Sequence, residues 1–549
     1  MNADKKSIVA IAACILFYLA YSHYLTKKYP QPTAEERAAQ VAASGETSPV
    51  PTPSPSANSG AALTPAVEGA TPVTELSDSE RTLSSDSVTY KFTADGGLAS
   101  VVLKHFQVGK TAKGETGPNV QLVDAPVAVI GMTGEDPKAL PAGPVIGLRS
   151  DRVISFTRKS GDLQIKQEYS IPPQGYTAVL KVIYTNTGNA AVDLTAAVLI
   201  NEALTYKKQG KLMGFIPGTV VDRDMVLYSV DGDAEHKDLE GFCKDDEPVA
   251  HNSVPVDYFG IDRHYFLGIL EPQMKKLSLR VDHTANDDNG CRIQMFAYEP
   301  QGQIAPGAST SFDFDMYFGP KDLAQLTQVN PKLESTVNLG VFAFIAKPLL
   351  AAIEGLKKLT NNYGTSIIIL TLLLKILFYP LTRASAISAH AMKKLNPQMQ
   401  AIREKFKDDK QRQQQELMKF MSGHKINPMK GCLPILPQIP VFFAFYQVLQ
   451  TSIQLRHAPF YLWIQDLSAM DPYLVTPLLM GVAMFVQQKL TPATGMDKTQ
   501  EKIMMMMPII FTVMMLTLPA GMTLYMLTNT VVGIGQQRWL NYKLDKTHK

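Results

Sequence analysis

Gly364-Thr365-Ser366-Ile367-Ile368-Ile369-Leu370-Thr371-Leu372-Leu373-Leu374-Lys375-Ile376-Leu377-Phe378-Tyr379-Pro380-Leu381-Thr382 reads as a membrane span with a lysine inside it. A cation at bilayer depth costs roughly 2.5–3.5 kcal/mol on insertion scales, so it calls for an anion, water or a function. At a helical repeat Thr371, Lys375 and Thr382 fall at i, i+4 and i+11 and form a polar stripe. The other apolar runs contain no Asp or Glu. The counter-charge of Lys375 is then water, lipid phosphate or a passing substrate. The bland alternative is a structural cation satisfied by backbone carbonyls.

Outward from this stretch the chain divides in two. Mean hydropathy near zero and a net charge of +3 look like an ordinary soluble protein, but they average two unlike halves. Up to about Pro331 polar and apolar residues alternate, and from Asn338 long apolar runs dominate. The expected spans are Ser7–Tyr24, Gly364–Thr382, Gly431–Ser452, Pro472–Leu490, Ile503–Leu518 and Met522–Gly535. Pro519-Ala520-Gly521 joins the last two as a tight hairpin. Lysine and arginine set the orientation. The stretch from Arg383 to Lys430 is crowded with cations, whereas Ile453 to Asp471 holds only Arg456. The basic loop and the tail are therefore expected in the cytoplasm. An even number of spans puts the N-terminus there too, and the large segment after the first span outside.

Residues 1–29 read as an uncleaved signal anchor and 30–83 as a Pro/Ser/Thr/Ala-rich tether. Residues 84–335 repeat short alternating runs, from Val88-Thr89-Tyr90-Lys91-Phe92 to Ser311–Phe318, and predict a large all-β sandwich. Cys243 and Cys291 fall in this external domain, where the spacing allows either a disulfide or two free thiols. Residues 336–361 predict an amphipathic helix in the outer interface, Pro348 and Glu354 arguing against another span. Residues 362–541 form the helical core. Within it, 383–428 reads as a cytoplasmic helical hairpin broken at Asp408-Asp409, with an apolar face of Met392, Leu395, Met399, Ile402 and Phe406 answered by Leu417, Phe420 and Met421. Such a hairpin buries little and is expected to move on the membrane surface. Residues 542–549 are a basic tail.

No catalytic constellation, metal-ligand spacing or cofactor motif is present in the sequence. Gly109-Lys110-Thr111 has lysine at position 104, where a phosphate loop would place its first glycine. Without a nucleotide site, any transport is passive or driven by a partner or a gradient.

From Thr336 to Asn541 the chain resembles the YidC/Oxa/Alb membrane protein insertases. The resemblance rests on Tyr379-Pro380-Leu381-Thr382, Asp408-Asp409-Lys410-Gln411-Arg412, Asn427-Pro428 with Gly431-Cys432-Leu433-Pro434, Gln438-Ile439-Pro440-Val441-Phe442 and Ala458-Pro459-Phe460-Tyr461-Leu462-Trp463-Ile464-Gln465-Asp466-Leu467-Ser468. Met507-Pro508 and Gly521 to Asn529 agree with it. The β domain resembles the periplasmic domain of the Gram-negative branch, similar in fold to sugar-binding supersandwiches. The implied architecture is a helical polytopic inner-membrane protein, with a five-span core, an anchor span and a periplasmic β supersandwich.

The resemblance implies a hydrophilic groove inside the membrane, open to cytoplasm and lipid. Lys375 stands where the family usually has arginine, and Thr371 matches a substrate-facing position. Tyr525 matches the first of two tyrosines in the last span, and Met526 replaces the second. Gln438, Gln447, Gln487 and Asn529 complete the expected groove. Met392, Met399, Phe406, Met418 and Met421 are expected to catch substrate on the hairpin. The implied activity is integration and folding of membrane proteins, without catalysis, cofactor or metal. The implied partners are nascent membrane proteins, the ribosome, the Sec translocon and the lipid bilayer, with no nucleic-acid site of its own. The rival reading from another class is a passive channel or ion-coupled transporter. Against it, the sequence has no inverted repeat and no matched pair of broken helices.

Overall fold

Alternation along the strands builds the outer half. Leu163–Ser170 buries Leu163, Ile165, Gln167 and Tyr169 and turns the residues between them toward the surface. The same period repeats across two antiparallel sheets of ten and nine strands. The ten-stranded sheet is centred on Val192–Thr205 paired with Gly290–Ile304. In the nine-stranded sheet Ser309–Pro320 lies between Phe266–Pro272 and Thr177–Asn186. Both sheets contribute to one hydrophobic core. Across it Tyr90 meets Phe318 edge-on at 6.3 Å between ring centroids, and Phe92 meets Tyr169 at 4.6 Å. This computed structural model describes residues 76–547 except 109–116, 124–126, 134–135, 139–144, 206–210, 213–215, 218–223, 244–247, 275, 287–289, 408, 425–434 and 491–497. The expected anchor span, the tether up to residue 75, Gly109-Lys110-Thr111, Asn427-Pro428 and Cys432 lie outside the described residues, whereas the tether's expected last residues join the β domain, with Leu76 and Leu83 in its core and Thr82–Ser84 paired with Val88–Phe92.

A one-turn helix α1 (Leu239–Phe242) delivers Cys243 to Cys291, and the two form a disulfide with Cα atoms 6.0 Å apart. It closes a loop of 48 residues, which on chain-entropy grounds removes on the order of 4 kcal/mol of unfolded-state freedom. After the last strand Lys321 donates to both oxygens of the fully buried Asp262 at 2.8 and 3.0 Å. Asp322 then caps helix α2 (Leu323–Val329) by accepting from the Ala324 and Gln325 amides.

Helix α3 (Ala343–Thr360) buries Ala346, Leu349, Leu350 and Ile353, one stripe at i, i+3, i+4 and i+7. Phe344 and Leu359 stay exposed on its other side. Asn361 in the left-handed region ends it. Asn362 starts α4 (Tyr363–Leu377) by accepting from the Thr365 amide at 3.0 Å. The expected continuous span from Gly364 to Thr382 does not form. The chain bends by 60° at Phe378 and continues as α5 (Tyr379–Lys405). Pro380 explains the break: in the first turn of a new helix it is favoured, whereas inside α4 its ring would meet the carbonyl four residues back. Thr382 therefore leaves the face shared by Thr371 and Lys375. Helix α5 runs through Pro397, and α6 (Lys410–Gly423) starts on Asp409, whose side chain accepts from the Arg412 amide.

The core is completed by α7 (Ile435–Thr451), α8 (Val475–Leu490), α9 (Lys498–Met515) and α10 (Ala520–Thr547). Helix α10 continues well past Gly535, where the last span was expected to end. Among the described residues no single helix is long and apolar enough to cross a membrane, and α4 with α5 passes that test only as a bent pair.

The two halves meet at Arg456, between α7 and α8. Its guanidinium lies over Tyr265 and Phe266, 5.7 and 5.2 Å from the ring centroids, and donates to the carbonyls of Gln107 and Val108 at 2.5 and 3.3 Å. Ile453, three residues earlier, is buried in the hydrophobic core of the β domain. Replacing Arg456 with alanine is expected to weaken this docking by about 2–4 kcal/mol, the sum of one partly exposed cation–π contact and one charge-assisted hydrogen bond. Hydrogen exchange checks it: amides in 98–108 and 453–467 should exchange faster, with the inner strands of the β domain unchanged.

Glu271 faces Asp315 across the strand pair Phe266–Pro272 and Ser309–Pro320. Burial raises the Glu271 carboxyl above its ordinary range, with Asp315 adding to the effect, and one of its oxygens is buried without a partner. A raised folded-state pKa means that the ionised form costs stability at neutral pH and that the cost fades as pH falls. Glu271→Gln should therefore raise the thermal midpoint at pH 7 by a few degrees and lose that advantage toward pH ~4, where unfolded carboxyls protonate.

Candidate functional site

Lys375 occupies the last turn of α4, just before the bend, and is half-buried. Among the described residues no carboxylate lies within ion-pair distance of it. Its neighbours are amides and a glycine. A Cβ built on Gly533 of α10 would stand 3.5 Å from Lys375 Nζ and 3.0 Å from Gln487 Nε2 of α8. One turn further along α10, Gln536 Nε2 donates to the Lys375 carbonyl at 3.4 Å. Helices α8 and α10 thus bring Gln487 and Gly533 near the α4 ammonium, while Gln536 holds the α4 backbone. On α10, Asn529, Gly533 and Gln536 share a face at i, i+4 and i+7, with Asn529 half-buried.

The other expected groove residues disperse. Thr371 is 1 % exposed, and its hydroxyl donates to the Ile367 carbonyl of its own helix at 2.7 Å. Tyr525 is buried and stacks on Phe445 at 4.6 Å with the planes 20° apart. Gln447 lies beside Gly340 at the approach to α3, where a Cβ would be 3.0 Å from its Nε2. Gln438 is half-buried in the first turn of α7. Sequence reading missed Gly533 and Gln536. Their signal was the i, i+4, i+7 spacing from Asn529 on a helix whose apolar run was taken to end at Gly535.

Two carboxylates organise the opposite end of the bundle. Asp471, buried at the start of α8, accepts from Trp463 Nε1 at 3.0 Å, the Tyr473 amide at 3.0 Å, and the Thr476 amide and hydroxyl at 2.7 Å each. The Thr476 hydroxyl also bonds Thr523 of α10 at 2.8 Å. Asp466 gathers the His457 amide and the Ser468 amide and hydroxyl within the same loop. The Asn362 side chain donates to the carbonyls of Pro459 and Phe460. Leu455, Ile464 and Leu467 fill the space beneath. Carboxylates that accept from this many donors tie the loop to the helix starts beside it.

A family model described as 60Kd inner membrane protein matches residues 355–547, and one described as YidC periplasmic domain matches 81–352. A curated relative from Geotalea daltonii, named membrane protein insertase YidC, is 34% identical over 98% of this chain and 99% of its own length. The chain belongs to the YidC family of membrane protein insertases. A relative of the same name from Geobacter sp. strain M21 is 36% identical over 84% of this chain and 86% of its own. A solved structure titled an active YidC insertase, with the first transmembrane domain resolved, aligns over 85% of this chain and 94% of that one, at 18% identity and a TM-score of 0.37. In YidC-family terms the helical half is an inner-membrane core and the β half a periplasmic domain.

The hairpin is better anchored than its sequence suggested. His390 Nε2 and Asp545 Oδ1 are 2.8 Å apart, and Tyr379 lies 6.1 Å from Trp539, so α5 rises alongside α10. The His390 hydrogen bond holds the Asp545 carboxyl below its ordinary range. Within the hairpin Met399 is 2 % exposed and Met418 is 65 % exposed; Met392, Phe406 and Met421 are half-buried. Arg412 and Lys405 lie over the Phe406 ring. We expect a photo-crosslinking residue at 418 to capture a nascent apolar segment and one at 399 to capture little. Equal yields at the two positions would show that the hairpin opens to expose Met399.

Proposed function

We propose that this chain integrates membrane proteins by drawing the polar leading segment of a substrate into the space beside Lys375 while the apolar segment passes into lipid. The observation that carries the reading is a half-buried ammonium with no described carboxylate within ion-pair distance. A structural cation needs a fixed anion or a set of backbone carbonyls, whereas one that receives a transient anion must be left without a fixed one. Burial of the substrate's apolar segment supplies the driving force, and the chain needs no catalysis or cofactor. Water around Lys375 raises the local dielectric and shortens the apolar path a translocated carboxylate must cross. Gln487, Gln536 and Asn529 replace part of that segment's hydration, and Gln438 borders the way in. The end tied by Asp471 and Asp466 stays closed, which separates an insertase from a channel.

In this reading both termini and the hairpin are cytoplasmic, and the β domain is periplasmic. The basic hairpin, through Met418 and its neighbours, receives nascent chains from the ribosome or the Sec translocon. The test uses the full-length protein in liposomes. Lys375→Arg should retain integration of a single-span protein. Lys375→Ala should slow integration of substrates with acidic translocated segments roughly tenfold, equivalent to about 1.4 kcal/mol of barrier. Equal rates for the alanine variant and the unaltered protein on such substrates would overturn the electrostatic role.

A further inference from the structure

A cleft of about 620 Å³ lies where the β domain passes into the helical core. That is within the roughly 300–1,000 Å³ of small-molecule sites. Strand Asp233–Asp238, at the edge of the nine-stranded sheet, and the turn before it give the cleft a floor of small residues, Gly232 and Ala234, beside His236. The 3-10 turn Pro331–Thr336 forms one wall through Lys332 and Glu334. The first turns of α3 form the other through Ala343 and Lys347, which share a face at i and i+4. Two cations and two carboxylates therefore meet in the lining. Lys332 bonds Asp257, which also accepts from the Ser229 hydroxyl at 2.8 Å and the Gly232 amide at 2.9 Å, so that carboxylate is spent. Lys347 bonds one oxygen of Glu334, and the other oxygen takes no hydrogen bond among the described residues. An ammonium has three donors and each lysine uses one on these carboxylates, with Lys332 60 % and Lys347 48 % exposed. His236 turns its Nδ1 inward, 3.5 Å from the buried Asp262, so its charge when protonated answers that carboxylate.

The surface next to the cleft is apolar. Val341 and Phe344, on either side of Ala343, are each 74 % exposed, and Phe344 is an i, i+3 neighbour of Lys347. The opposite stripe of α3 is packed into the helical core, so this apolar edge belongs to the membrane half of the molecule. We propose that the cleft binds the headgroup of a phosphatidylethanolamine from the periplasmic leaflet. The phosphate takes the spare donors of Lys332 and Lys347, the primary ammonium takes the free oxygen of Glu334, and the acyl chains leave over Phe344. The start of α3 has no side-chain cap and adds the positive end of its dipole on the phosphate side. A zwitterion suits a lining whose charges balance, two against two. Phosphatidylglycerol brings a net negative charge and no ammonium for Glu334. Phosphatidylcholine brings a quaternary ammonium with no N–H to donate, so the charge-assisted hydrogen bond is lost. Lys332 and Glu334 belong to the linker and Lys347 to α3, so such a lipid fastens the β domain to the core at their joint. The site is independent of the space beside Lys375.

Native mass spectrometry of the full-length chain in detergent, titrated with the dioleoyl forms of the three lipids, reads a Kd for each. Phosphatidylethanolamine should bind about tenfold tighter than phosphatidylcholine or phosphatidylglycerol. Replacing Lys332 and Lys347 together with alanine should raise its Kd about tenfold. Glu334→Gln should abolish the preference over phosphatidylcholine. By leaving the lining one unit positive, it should also turn the preference toward phosphatidylglycerol. Ala234→Trp, which fills the floor, should weaken phosphatidylethanolamine to the level of the other two. Equal Kd values for the three lipids on the unaltered chain make the contact ordinary lipid solvation and overturn the proposal, as does a preference for phosphatidylglycerol there. A phosphatidylethanolamine preference that survives both Glu334→Gln and the double substitution places the site elsewhere and also overturns it. Hydrogen exchange over Asp224–Val230 reports whether the variants keep the β domain folded. If the double variant loses that protection, Glu334→Gln decides, and an unchanged preference there overturns the proposal. Soluble glycerophosphoethanolamine at the concentration of the lipid should displace none of it. Full displacement would make the ligand a soluble phosphoester and overturn the membrane source.

Discussion

An ammonium with no carboxylate within ion-pair distance among the described residues sets the terms for the helical half. Charge alone would favour pairing Lys375 with an aspartate on a facing helix, but a permanent anion would compete with any anionic segment the site handles. What surrounds it instead is neutral: Gln487 beside Nζ, Gln536 on its carbonyl, and a glycine where another residue would crowd it. Such a site keeps its cation only if water can reach it. Helix α4 makes that possible by being short. Its 15 residues span about 22 Å, less than the roughly 30 Å of a bilayer's hydrocarbon core. The lysine in its last turn therefore lies toward one end of the bundle, not at its centre.

The two ends of the bundle then follow opposite rules. Where Lys375 sits, the chain is broken by Pro380, the helices present amides, and α5 leads into a hairpin with an exposed methionine. At the other end carboxylates are present but spent. Asp471 and Asp466 accept from their own loop, and Leu455, Ile464 and Leu467 are buried in the helical core. A conduit would need both ends permissive. In the proposed reading, one end that admits a segment and one end tied by its own hydrogen bonds suit a device that lets a segment enter from one side and leave sideways into lipid.

Much of this was legible in the sequence because two periodicities differ so sharply. Alternation at period two marked strands such as Leu163–Ser170, and the i, i+3, i+4 stripe marked α3. Strands such as Val256–Arg263 were not anticipated: Tyr258 to Asp262 are all buried, so no polar face remains to alternate. The spans were found but their ends were misplaced. Hydropathy carries α4 on to Thr382, whereas the backbone stops at Phe378 because proline starts a helix better than it continues one. The site was half legible. A lysine among leucines announces itself, but a glycine matters only through what stands opposite it. The neighbours of Gly533 come from α4 and α8, remote in sequence.

The same contrast explains why Thr371 and Tyr525 sit near Lys375 in sequence pattern yet contribute packing. A hydroxyl inside a helix can always satisfy itself on the carbonyl four residues back, as Thr371 does on Ile367. A tyrosine facing another ring gains more from stacking than from an open groove, as Tyr525 does on Phe445. A primary amide has no such local outlet: with two donors and an acceptor on a flexible stem, it reaches across to other helices. The lysine's surroundings therefore include glutamines, which can lie beside a cation without neutralising it.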